Sequence, residues 1–101
     1  MKVIRDKVEG SIVLSEDTQL HGMIVGSVMV PKDTVLQLHG MIIGSLTLRE
    51  ESTVYLHGMV MGDVINEGGH LEVFGMVNGK VIRKSGKTMV DSKAIVRDGI
   101  L

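Results

Sequence analysis

Residues 37–48 read QLHGMIIGSLTL, residues 19–30 read QLHGMIVGSVMV, and residues 55–66 read YLHGMVMGDVIN. His21, His39 and His57 are thus 18 residues apart. A fourth copy, EVFGMVNGKVI at residues 72–82, puts Phe74 in the histidine slot after a step of 17. The glycines keep the same beat: Gly22, Gly40, Gly58 and Gly75, then Gly26, Gly44, Gly62 and Gly79. An N-terminal partial copy, KVEGSIVL, aligns Gly10 and Ser11 with Gly26 and Ser27, and a degenerate last copy begins near Val90. Self-similarity at a short fixed period is the signature of a solenoid.

Within each unit the aliphatic residues alternate with period two, the spacing of strands rather than helices. Leu36, Leu38, Ile42, Leu46 and Leu48 share one parity, and Val54, Leu56, Val60 and Val64 repeat it one unit later. The residues of that parity that are not aliphatic are Gly40, Gly44, Gly58 and Gly62. They mark two corners where an inward side chain has no room. A third corner falls in the polar stretches SEDT, PKDT, REEST and NEGG, where turn chemistry concentrates. Three short faces and three corners predict one triangular coil of a parallel β-helix, with neighbouring coils about 4.8 Å apart. Roughly five to six such coils give a single domain over residues 1–101 on the order of 25 Å tall. A narrow core of stacked Leu, Val and Ile explains why Phe74 and Tyr55 are the only aromatic residues beside eight methionines. The competing hexapeptide helix needs an aliphatic residue every six positions. From Leu38 the sixes land on Gly44 and Glu50, so continuous alternation fits better.

The cadence aliphatic-x-Gly-x-aliphatic-x-Gly-x-aliphatic-x-aliphatic, recurring from about Val3 to Val96, resembles the bactofilins, the polymer-forming cytoskeletal proteins of bacteria. The resemblance implies an all-β, right-handed parallel β-helix that polymerises end to end without nucleotide and scaffolds envelope or cell-shape processes. Two features depart from that pattern. Such proteins usually carry disordered tails, sometimes with a short membrane-targeting N-terminus, whereas here MKVIRDKVEG runs almost straight into the first coil, and aromatic residues near the C-terminal end are missing.

Composition narrows the function classes. With 11 Lys and Arg against 12 Asp and Glu there is no electrostatic footprint for nucleic acid or anionic lipid. The absence of cysteine removes disulfides and thiolate metal sites. No signal peptide or membrane-spanning run occurs, so membrane association through this segment is not expected and the cytoplasm is the simplest address. No nucleophile elbow, phosphate loop or zinc motif is present, and the short loops cannot build a cleft, so neither catalysis nor a cofactor is expected.

Parity places His21, His39 and His57 outward in a column. Zinc needs nitrogens roughly 3.3 Å apart at bond lengths near 2.0–2.1 Å, whereas the three histidines span about 9.6 Å, and Phe74 interrupts the set. No metal site is assigned to them, although the His-x-Met spacing resembles a soft Cu(I) site. Stacked imidazoles disfavour one another's charge, so they are expected to be neutral at pH 7 and to weaken the fold in acid. Met23, Met41, Met59 and Met76 also point outward, beside Val25, Ile43 and Met61. Ser27, Ser45, Asp63 and Lys80, in the next outward column, read as solvent-facing. This oily strip is the candidate interaction face, for self-association or for another protein. Ile100 and Leu101 end the chain without a charged tail and are the candidate end contact.

Overall fold

The computed structural model describes residues 1–101 and contains fifteen short strands and no helix. They wind as coils. The first comprises β1 (Lys2–Ile4), β2 (Lys7–Glu9) and β3 (Ile12–Val13); the second, β4 (Thr18–Leu20), β5 (Met23–Val25) and β6 (Val28–Val30). The third holds β7 (Val35–Leu38), β8 (Met41–Ile43) and β9 (Leu46–Leu48). Beyond these come β10 (Thr53–Leu56), β11 (Met59–Val60), β12 (Val64–Val73), β13 (Met76–Val77), β14 (Val81–Val90) and β15 (Ile95–Val96).

Every strand pairs in parallel with its counterpart one coil away. On the second face β2, β5, β8, β11, β13 and β15 form a six-stranded sheet in chain order. The first and third faces join into one nine-stranded sheet because β12 and β14 run unbroken around the third corner. The chain is therefore a parallel β-solenoid. Its coils are not equal in length. The residue-to-residue step is 16 from Lys7 to Met23 (23 − 7), then 18 to Met41 and 18 to Met59. It is 17 to Met76 and 19 to Ile95 (95 − 76).

The interior consists of 19 buried aliphatic side chains in columns, with no aromatic among them. Ile24, Ile42, Val60 and Val77 form one such column, and Leu20, Leu38, Leu56 and Val73 another. Each buried Leu, Val or Ile contributes roughly 1.5–3 kcal/mol. The overall extents are 30 × 24 × 20 Å. Hydroxyls near the third corner turn back on their own loop: Thr18 Oγ1 donates to the Glu16 carbonyl at 2.9 Å and Ser52 Oγ to that of Arg49 at 2.6 Å. The surface ion pairs Lys32–Glu51 (3.9 Å) and Arg49–Glu67 (3.5 Å) link successive coils but are solvent-exposed and add little.

Candidate functional site

The first corner has one construction used repeatedly. The N–H groups of His39 and Gly40 both donate, at 2.8 Å, to the carbonyl of Leu20 in the coil beneath. His57 and Gly58 do the same to Leu38 at 2.8 Å. Two successive donors on one acceptor swing the chain off the first face onto the second. The glycine is required by the coil below: a Cβ on Gly40 would overlap the Gly22 carbonyl oxygen. Expectation and structure differ in direction here. The obstruction lies along the solenoid axis and is backbone, not the core.

The corner throws its ring outward, and the rings stack. His21 and His39 have centroids 4.9 Å apart at 6°, and His39 and His57 are 5.1 Å apart at 5°. Phe74 lies on His57 at 4.8 Å and 8°. Phe74 thus continues the column as a ring and ends it as a nitrogen donor. Of the three imidazoles, His21 alone has a hydrogen-bond partner, Gln19 Oε1, 3.4 Å from its Nε2. Desolvation among its neighbours lowers the pKa of His39 below the usual histidine value, and the charges of His21 and His57 push it the same way.

One residue past each corner glycine stands a methionine. Met41, Met59 and Met76 form a second wall parallel to the rings, with the glycine backbone as floor between them. The result is an open groove of about 620 Å³ running along the axis, with Lys93 and Ile95 at its C-terminal end. The methionines are half-buried. No three His, Cys, Asp or Glu side chains converge in the molecule as a ligand set.

Val25, Ile43 and Met61 form the other outward column of the same face, and Met61 is its most exposed member at 38%. Gly26, Gly44, Gly62 and Gly79 make the second corner. There the next outward column does more than face solvent. Ser11 Oγ accepts from the Ser27 N–H at 3.0 Å, Ser27 Oγ from Ser45 at 3.2 Å, and Asp63 Oδ1 from Lys80 at 2.8 Å. Each side chain caps the coil above it, which corrects the reading of this column as merely solvated. Ile100 sits at the end of the core column over Val81, and Leu101 bonds back to Val81 and Arg83 through its backbone. They are 41% and 61% exposed.

Sequence reasoning missed Asn66. It is fully buried, and its Oδ1 accepts from the N–H groups of Gly68 and Gly69 at 3.1 and 2.8 Å. Its Nδ2 lies 3.1 Å from the carbonyls of Gly69 and Lys87 and from Thr88 Oγ1. The signal was available, because residue 66 has the inward parity of Val64.

Comparison of the chain with known protein families, with curated proteins and with solved structures finds no match.

Proposed function

We propose that the chain is a non-catalytic, self-assembling structural scaffold of the bactofilin type, acting in the cytoplasm without a cofactor. One observation carries this reading. The first coil and the last pair through one edge only, and each leaves a row of backbone donors and acceptors above the end of an apolar core. Val8 and Ile12 are only partly covered at one end, and Val90, Ala94 and Val96 at the other. A second copy of the same triangular section satisfies both the hydrogen bonds and the core columns, with Ile100 and Leu101 in the contact. Short loops support a non-catalytic role. No helix is long and apolar enough to cross a membrane, and the balanced charge favours protein partners over nucleic acid.

A second reading rests on the half-buried Met/Val/Ile face: a discrete oligomer or adaptor that presents Met23, Val25, Met41, Ile43, Met59, Met61 and Met76 to itself or another protein. Electron microscopy of the purified protein across a concentration series separates the two. The scaffold gives filaments that lengthen with concentration and survive Met41→Lys with Met59→Lys. The adaptor gives small closed particles that this double substitution converts to monomers. A protein that stays monomeric by light scattering at every concentration refutes the scaffold and the self-associating form of the second reading.

A further inference from the structure

The groove combines two ligand types that the scaffold role leaves unused. At two of its rungs the walls offer one imidazole and one thioether, separated along the chain by a single glycine. The imidazoles of His39 and His57 make no hydrogen bond within the chain, whereas that of His21 is turned to Gln19. Met41 and Met59 line the groove; Met23 does not. The two central rungs are therefore the ones with free donors on both walls. We propose that the groove binds one soft monovalent metal ion of the Cu(I) class between the rungs His39/Met41 and His57/Met59.

The chemistry of the donors selects the ion. No carboxylate lines the groove, so a hard divalent cation gains no charge compensation, whereas thioethers favour Cu(I). The single charged side chain in the lining, Lys93, lies at the Phe74 end and repels a cation toward the histidines. Spacing sets the number of rungs involved. Imidazoles 5.1 Å apart can lean onto one ion, while His21 and His57 are two steps apart. Methionine, with three rotatable bonds and a polarisable sulfur, reaches the ion without moving the backbone.

Titration with Ag(I), a redox-stable stand-in for Cu(I), tests the assignment in chloride-free buffer at pH 7, by calorimetry and by NMR of the His ring and Met methyl signals. The expected result is saturation at one ion per chain, with shifts at His39, His57, Met41 and Met59. Met41→Leu with Met59→Leu should weaken binding at least about tenfold while circular dichroism is unchanged, as loss of direct donors demands. His39→Phe should do the same, and Met23→Leu should leave affinity as it was. Absence of saturable binding overturns the site. So does a Met41→Leu/Met59→Leu variant that binds as tightly as the parent, or Zn(II) competing on equal terms with Ag(I).

Discussion

His39 has a ring on each side, and each neighbour that takes a proton makes its own protonation harder. Its depressed pKa fixes the sign of the pH effect. In the window below the unfolded value near 6.5 the unfolded chain binds the proton more readily than the folded one, so stability falls with acid and is complete above that value. His39→Phe keeps a ring in the column, as Phe74 already does, and removes the charge. The melting temperature of this variant should fall less than that of the parent between pH 7.5 and pH 5. Equal slopes for the two proteins would show that the stack carries no electrostatic cost. Much of this was legible beforehand: parity put the histidines outside and the period put them in one column. Phe74 was misjudged because it was read for its chemistry as a ligand, while the column selects for ring shape. The glycine requirement was read correctly from spacing and attributed to the wrong neighbour, since no sequence shows which carbonyl lies one coil below.

Strand β12 bends through the third corner without breaking, and Asn66 braces the bend. Its amide occupies a core position and supplies the hydrogen bonds that the backbone at Gly68 and Gly69 cannot obtain from a ladder, where the register with β14 slips. Asn66→Val retains an inward side chain but strands the buried N–H of Gly69 and the half-buried N–H of Gly68. At about 1–3 kcal/mol for each unsatisfied group, the variant should lose about 2–4 kcal/mol in urea unfolding. Parent-like stability would mean that the corner holds without the amide. The run NEGG gave only the expectation of a turn. That polar residues fold inward to serve a corner is a property of the closed coil, as is the use of Ser11, Ser27 and Asp63 as caps. A one-dimensional pattern distinguishes inside from outside but not solvent from the coil above.

For the molecule as a whole, the fold was readable because period, parity and composition point the same way, and each coil touches only its neighbours. Such an object is approximately a sum of coils and contacts between them. Inserting a second copy of residues 37–54 between Val54 and Tyr55 preserves every column, since Tyr55 stands in the register of Gln37. The product should remain folded, unfold at a higher midpoint than the parent, and be longer by about 4.8 Å in solution scattering. A lower midpoint would show that the particular number of coils matters. The groove was not readable in this way. Each of its walls was visible as a column, but the angle between them is set at the corner, by two N–H groups sharing one carbonyl.

The unequal steps bear on how the chain finds its way home. Coils related by 18 residues are nearly interchangeable, and a ladder of like rungs can be mounted one rung too high with small loss of contact. The steps of 16, 17 and 19 break that equivalence. A chain displaced by one coil would bring a short loop to a long gap and leave Asn66 facing aliphatic neighbours with its hydrogen bonds unmade. The irregular coils thus act as an address system: the regular ones provide cohesion, and the exceptions tell each strand which floor it is on.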